Sequence, residues 1–380
     1  MDATPVKPFL DYPELTDILI NRKMIVEDVA RAARKIEQIG YYHLSGYWYL
    51  ARSYSLIDGK HKIVHENFRN GTSFNAVFKL YLLDKNLRVE FFNAIERIEI
   101  FLRTVIAHEM GRLDPLCYQN KKYFNKKYLP SLEGDCDKDD EGSNCSDWYD
   151  KWVKKVEDKV SQSKEQFIID HKDKAKPIPI WVLVELWDFG MLSKFYSMLK
   201  RGHQDKICER FDSIPPDVIE NWLFNLNTIR NRCAHHSRLF NGNNPRTLKI
   251  PMKGYFNLLA LDVKARNKIY GVIAVVDYFL TKISVGSDWV ARISETINSL
   301  PDLPGLSLTS MGFDADAKSF PIERFRKASQ NKQQDQEPDV SAPAKLIEQL
   351  LLQAPTEKTE NEAFVNLVLT LAQDIEGKRV

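Results

Sequence analysis

The chain has 380 residues, of which 43% are hydrophobic, 28% charged and 11% aromatic, and its formal net charge at pH 7 is +2. This length is sufficient for roughly two to three domain-sized units, and the composition excludes collagen-like, mucin-like and globally disordered proteins. Charges interrupt even the most apolar stretches and the first residues contain no signal-peptide core, so we expect a cytoplasmic protein without a membrane partner.

The first 70 residues are predicted to form a helical segment rich in aromatic side chains. Apolar residues recur at helix spacing in IVEDVARAARKIEQIG, and Gly40 stands where a helix C-cap belongs. Asp58 and Gly59 separate two β-prone runs. One interpretation of that stretch is a short hairpin between Tyr54 and Val64, and the other is that no hairpin forms there. The aromatic residues between the predicted helix and the hairpin either pack in a core, which we favour, or stack RNA bases. They are Tyr41, Tyr42, Tyr47, Trp48 and Tyr49.

Residues 71–290 are predicted to form the main helical domain. From Ser73 to Met110 apolar residues recur at every third or fourth position without proline or glycine, which predicts one long helix or two joined helices. An acidic, turn-rich insertion follows near residues 131–147, and its spacing does not fit a calcium-binding EF-hand. Further helices are expected over Trp148 to His171, after Pro179 with an interruption around Asp188 to Gly190, from Pro216 onward, and over Ala265 to Ile283.

The carboxy-terminal part is predicted in three pieces. Residues 291–329 are expected to be irregular, and residues 330–344 have the composition of a linker. Residues 345–380 contain two short amphipathic helices, Lys345 to Gln353 and Asn361 to Glu376. With strands so few, the fold class is all-α.

The segment RNRCAHH, from Arg230 to His236, has the composition of a site rather than of a core. An imidazole with a pKa near neutrality can take a proton from a 2′-hydroxyl, and a guanidinium can hold the phosphate next to it. Metal-independent RNA cleavage requires both. Arg230 and His235 lie about 140° apart around an ideal helix, so a shared phosphate requires a local distortion or a second copy of the site.

The spacing Arg-x4-His occurs again at Arg103 and His108, whereas chance predicts about 0.4 occurrences in this chain. Two interpretations of this second motif stay open. It is a second part of the active site, or Arg103 merely pairs with Glu99 one turn earlier on the same helix. Glu99 or Glu96 is also a candidate to orient Arg230 or His235.

Four blocks of the sequence, in order, resemble abortive-infection proteins of the AbiD/AbiF type, which belong to the HEPN superfamily. The blocks are KPFLDYPELTDILINRKM with IGYYHLSGYW, YLLDKNLRVEFFNAIERIEIFLRT, PIWVLVELWDFGMLSKFY and IRNRCAHHSRLFN. The resemblance covers roughly the first 285 residues. It implies a HEPN-like helical bundle with an amino-terminal helical extension and a carboxy-terminal helical appendage.

The resemblance also implies an activity, that of a metal-independent RNA endonuclease leaving 2′,3′-cyclic phosphate ends. Arg230, Asn231 and His235 match the catalytic signature Arg-Asn-x3-His, and His43 stands where the family is expected to have arginine. His236 is a further candidate, either as proton donor to the leaving oxygen, as phosphate ligand or as a merely exposed side chain.

Other residues are candidates for binding rather than for chemistry. Arg232 is a candidate RNA contact, and so is a lysine run interleaved with aromatic residues, for which a solvated loop is the alternative. This run comprises Lys121, Lys122, Lys126 and Lys127. A zinc site at Cys233, His235 and His236 lacks a fourth ligand and diverges on a helix, so neither a metal nor another cofactor is expected.

The resemblance implies an RNA substrate and a toxin that a structured RNA or a small protein antitoxin restrains. Because cleavage benefits from an acid and a base on opposite sides of the phosphate, we expect a composite site. A homodimer that pairs two Arg230/His235 motifs is the favoured route, and Arg103/His108 within the same chain is the other. The alternative to an enzyme is a non-catalytic module that binds RNA or a partner.

Overall fold

The structure, a computed structural model, describes residues 6–57, 61–129, 148–251, 254–284 and 286–334. Helices account for most of this part of the chain. The helices are α1 Tyr12–Asn21, α2 Val29–Ile39, α3 Tyr41–Trp48, α4 Phe74–Gly111, α5 Trp148–Gln162, α6 Gln166–Asp173, α7 Ile180–Leu183, α8 Phe189–Met198, α9 Arg201–Cys208, α10 Pro216–Ala234, α11 Val263–Arg266, α12 Ile269–Ile283, α13 Trp289–Asn298 and α14 Ile322–Gln334. The strands are β1 Arg52–Ile57 and β2 His61–Phe68. The mostly helical fold class is therefore confirmed.

The long helix α4 is the element around which the other helices are arranged. Its 38 residues form one uninterrupted helix about 57 Å long, and Ser73 caps it by accepting a hydrogen bond from the Ala76 amide at 3.1 Å. Helices α3, α7, α8, α9, α10, α12 and α13 all contact it. Because neighbours surround most of its length, apolar residues recur at every third or fourth position along it.

The hairpin interpretation is confirmed. Strands β1 and β2 pair antiparallel, with Tyr54 opposite Val64 and Ile57 opposite His61. The Arg69 guanidinium secures the base of the hairpin by donating to the carbonyls of Leu50 at 3.0 Å and Arg52 at 3.1 Å. Most residues of both strands are exposed, so the hairpin is a surface addition to a helical body.

The end of α2 and the start of α10 lie where the sequence predicts them. Gly40 ends α2 with φ of 95°, which is open to glycine without strain, and α3 starts directly after it. Helix α10 starts at Pro216, whose missing amide hydrogen costs nothing in the first turn. Its apolar face packs on α4 and α8.

Several expected elements are divided. The charged helix predicted over Trp148 to His171 is two helices, α5 and α6, and the one predicted over Ala265 to Ile283 is α11 followed by α12. After Pro179 the chain forms α7 and a short 3-10 turn before α8, with Asp188 as the N-cap of α8. The interruption predicted at Asp188 to Gly190 is therefore the start of a capped helix.

The expectation of an irregular segment over 291–329 is wrong. Most of α13 and half of α14 lie within it, and Trp289, Ile293 and Ile297 place one buried stripe on α13. Stripes this short are hard to distinguish from irregular sequence before packing is known. The expected linker over 330–344 also starts too early, because α14 continues to Gln334.

The domain boundaries predicted at residues 70 and 290 both fall inside one compact unit, Met1–Arg326. Of a second unit, Lys327–Val380, the structure describes residues 327–334. The acidic insertion at 131–147 and the helices predicted within 345–380 lie outside the described residues. Within the described part, no helix combines the length and the apolar character needed to cross a membrane.

Candidate active site

The candidate motif lies where helix α10 ends. Arg230 and Asn231 belong to its last turns, whereas His235 is the C-cap residue, with φ of −95° and ψ of 15°. His236 follows with φ of 57°, so the chain turns away from the helix axis there. The His235 amide still donates to the Asn231 carbonyl at 2.9 Å, as in a helix, so the chain leaves helical geometry only after His235.

The Arg230 guanidinium lies at the edge of an open cleft of about 220 Å³. The cleft is lined by Phe92, Glu96, Glu99, Ile100, Arg103 and Arg230. The Nη1 of Arg230 donates to Asn231 Oδ1 at 3.3 Å, and its Nε lies 4.0 Å from Glu99 Oε2. One third of the Arg230 side chain is exposed. Neighbours thus hold the Arg230 side chain in place while part of it stays open to the cleft.

Glu99 connects the two Arg-x4-His motifs. Its Oε1 accepts from Arg103 Nη2 at 2.5 Å, and its Oε2 faces Arg230. Burial raises the pKa of Glu99, and the charges of Arg103 and Arg230 oppose that shift. The ion pair expected one helical turn apart and the contact expected with Arg230 are therefore both present, made by one carboxylate.

The second motif is divided between two places. Arg103 also donates to the Trp187 carbonyl at 2.6 Å, and only 18% of its side chain is exposed. His108, in the last turn of α4, is exposed and lines a different cleft of about 460 Å³, next to Trp181 and Glu185. The structure thus brings Arg103 to the cleft of Arg230 and places His108 outside the residues that line it.

A buried carboxylate that the sequence analysis missed holds the chain directly after the motif. Asp84 is fully buried and accepts hydrogen bonds from Tyr47 Oη at 2.8 Å and Arg88 Nη1 at 2.5 Å. It also accepts from the backbone amides of Leu239 at 3.1 Å and Phe240 at 2.7 Å. The signal in the sequence was an Asp-x3-Arg pair within the apolar face of the long helix.

Helix α3 packs beside the same loop. The Arg238 guanidinium donates to the Gly46 carbonyl, and His43 lies between the rings of Tyr47 and Tyr81, at centroid distances of 6.0 and 5.9 Å. Burial lowers the pKa of His43, and the charges of Arg88 and His236 lower it further. His43, noted in the sequence only as a departure from a family pattern, is an exposed side chain beside Tyr47 and Tyr81 whose pKa its surroundings lower.

The aromatic residues around His43 serve different purposes. Tyr47 and Trp48 are buried, which confirms core packing for these two. Tyr42 and Tyr49 are exposed. The Tyr41 hydroxyl accepts from Arg22 Nη1 at 3.2 Å.

The lysine run makes contacts that occupy its charges. Lys121 lies 5.6 Å from the centre of the Tyr149 ring and 3.9 Å from Asp150, and Lys122 lies 4.7 Å from the centre of the Tyr123 ring. Lys127 lies 4.6 Å from the Tyr128 ring centre, and the run forms two 3-10 turns. Lys126 is exposed. These lysines cover aromatic faces that a stacked base would need.

The arrangement around Cys233 does not form a zinc site. Cys233 is buried, and burial raises the pKa of its thiol to about 12. His235 and His236 are exposed beyond the helix end. Nowhere in the described residues do three or more histidine, cysteine or acidic side chains meet in a way that could hold a metal ion.

A comparison against protein families found a match. Residues 34–241 match the family of Abi-like proteins, and the chain belongs to this family. The match includes α3, α4 and the motif at the end of α10 and excludes α1. Membership connects the protein with abortive-infection defence. A search of curated proteins and a search of solved structures each found no match.

Proposed function

We propose that this protein is a metal-independent RNA endonuclease of the HEPN type, acting as a toxin in the cytoplasm during abortive infection. The observation that carries the proposal is the end of α10. There Arg230 is held by Glu99 and Asn231 at an open cleft, and His235 is exposed just after the helix.

In the proposed reaction His235 removes the proton from a 2′-hydroxyl, and the 2′-oxygen attacks the adjacent phosphorus. Arg230 stabilises the charge that develops on the phosphoryl oxygens. The bond to the 5′-oxygen breaks, and that oxygen takes a proton from an acid, so the products are a 2′,3′-cyclic phosphate and a 5′-hydroxyl. His236 or a second copy's motif is the candidate acid.

A homodimer is the proposed source of a second motif. Exposed apolar side chains on α4 support it, since Phe92 and Ile100 line the Arg230 cleft and Val89 lies about one helical turn before Phe92. A second copy covering this face would bring two motifs together about a two-fold axis. The test mixes Arg230→Ala chains with His235→Ala chains, because only a site shared between chains regains cleavage.

Uncontrolled RNA cleavage would harm the host, so we propose that a structured RNA or a small protein antitoxin restrains the enzyme. This part of the proposal rests on family membership. If the folded wild-type chain, expressed alone, neither slows growth nor lowers phage yield, the toxin role is wrong.

The experiment that tests the activity is an incubation of purified protein with single-stranded RNA in EDTA. We expect cleavage with cyclic phosphate ends, and loss of cleavage in His235→Ala. A requirement for added metal would contradict the mechanism. The non-catalytic alternative makes a different prediction: no cleavage occurs, and Arg230→Ala weakens RNA binding while His235→Ala does not.

A further inference from the structure

Three cationic side chains lie at the turn that follows the motif, residues 238–242, and a fourth lies four positions before one of them. Arg232 Nη1 lies 3.0 Å from the position a Cβ at Gly242 would take, and Lys268 Nζ donates to the Asn241 carbonyl at 2.8 Å. Arg238 belongs to the turn itself, and Lys264 is an exposed residue of α11, four positions before Lys268. We call Arg232, Arg238, Lys264 and Lys268 the turn cluster.

The turn cluster lacks neutralising carboxylates. Within the described residues none of its members has an Asp or Glu oxygen within 4.0 Å, although nearby cations do, such as Lys249 with Asp217 at 3.0 Å. Burial and the like charges of Lys264 and Arg238 lower the pKa of Lys268. Their mutual repulsion is unfavourable in the free protein and is relieved when an anion binds.

The position of the cluster is fixed relative to the motif. Asp84 holds the amides of Leu239 and Phe240, and Arg238 is tied to α3 through the Gly46 carbonyl. Arg238 is three positions after His235, so their Cα atoms are at most about 11 Å apart. A ligand bound at His235 therefore lies close to the Arg238 end of the cluster.

We propose that the turn cluster binds phosphodiester groups of single-stranded RNA next to the scissile phosphate, a role that rests on the proposed function. The lysine run is the weaker candidate, because its charges already contact aromatic rings and Asp150. The cluster has no such partners in the described part of the chain. Its ligand is recognised by charge, so its contribution falls with salt.

The test measures binding in a cleavage-inactive His235→Ala background, with a fluorescein-labelled single-stranded RNA and fluorescence anisotropy. The double variant Lys264→Gln/Lys268→Gln removes two charges, and the amide introduced by Lys268→Gln still offers a donor to the Asn241 carbonyl. We expect Kd to rise about tenfold, and the slope of log affinity against log salt to fall by about 1.4 for two lost phosphate contacts. The matched control is Lys249→Gln, which removes a charge already paired with Asp217.

Unchanged affinity and salt slope in the double variant, with an unchanged melting temperature, would overturn the proposal. An equal loss in Lys249→Gln would overturn it too, since any lysine would then serve. The proposed function fails separately. If wild-type protein does not cut RNA but the double variant binds it more weakly, the turn cluster binds RNA and the proposed enzymatic activity is wrong. If wild-type protein cuts RNA and the double variant cuts and binds it equally well, the activity is supported and the role of the turn cluster is wrong.

Discussion

Arg103 and His108 lie within one continuous helix, whereas Arg230 belongs to the last turns of α10 and His235 follows its end. The spacing in sequence is the same, but the surroundings differ. Arg103 is mostly buried and bound to Glu99 and the Trp187 carbonyl, while Arg230 keeps donors exposed at a cleft. The comparison teaches that the packing around each arginine, and not the Arg-x4-His spacing, decides how far its side chain is open to a ligand.

The largest expected effect separates the two histidines by activity. His235→Ala should lower the cleavage rate by about 10³-fold, because general acid–base catalysis contributes roughly 10² to 10⁴. His108→Ala should leave the rate unchanged, because His108 lies in another cleft. The measurement is the single-turnover rate on labelled RNA in EDTA. If His108→Ala alone abolishes cleavage, the second motif is catalytic and our comparison is wrong.

The anchor of the motif loop is expected to be nearly as important. Asp84→Ala leaves the buried Arg88 and two backbone amides without their acceptor, which should lower the free energy of unfolding by about 3 to 5 kcal/mol. Urea denaturation measures the loss. Hydrogen exchange in the milder Asp84→Asn variant should show faster exchange at Leu239 and Phe240 while α12 stays protected. The control is Asp288→Ala, which removes an exposed carboxylate; loss of protection in both variants alike would refute the anchor.

The two arginines should differ in their contribution to the free energy of unfolding. Here the motif at Arg103 should show the larger effect, whereas among the histidines the larger effect on activity is expected at His235. Arg103→Ala leaves the Glu99 carboxylate buried without its closest partner and should cost about 2 to 3 kcal/mol, after allowing for partial exposure. Arg230→Ala should cost less than about 1 kcal/mol, since its contact with Glu99 is long and part-exposed. Urea denaturation of both variants decides this. Adding Glu99→Gln should rescue Arg103→Ala in part, and the absence of any rescue would show that the ion pair is not the cause.

The smallest effect concerns pH. The pKa of His43 is lowered in the folded protein, so below its ordinary value near 6.5 the unfolded chain binds more protons. The contribution of His43 to stability is therefore complete above that pH and is lost as pH falls through its folded pKa. His43→Asn should make the free energy of unfolding less dependent on pH between 5 and 7. If the free energy of unfolding depends equally on pH in wild type and in His43→Asn, the lowered pKa of His43 does not contribute to stability.

Much of the fold was accessible from local pattern. The apolar repeat of α4, the two β-prone runs that pair as β1 and β2, the Gly40 cap and Pro216 at the start of α10 each involve residues only a few positions apart. The stripe of α13 was missed because three apolar positions do not distinguish a helix from irregular chain. The pair of Glu99 and Arg103 was predictable for the same local reason, one turn of helix.

The surroundings of the motif were decided by packing over long separations. Asp84 meets Leu239 across 155 positions, and Arg238 meets Gly46 across 192, so no repeat or spacing reports these contacts. Chain order also does not say which cations will find a carboxylate. The residue types of the candidate site were therefore determined locally by the sequence. Their exposure, their free or occupied charges and the cleft that Arg103 and Arg230 share were determined when the helices α3, α4 and α10 packed, because burial and electrostatic partners exist only in three dimensions.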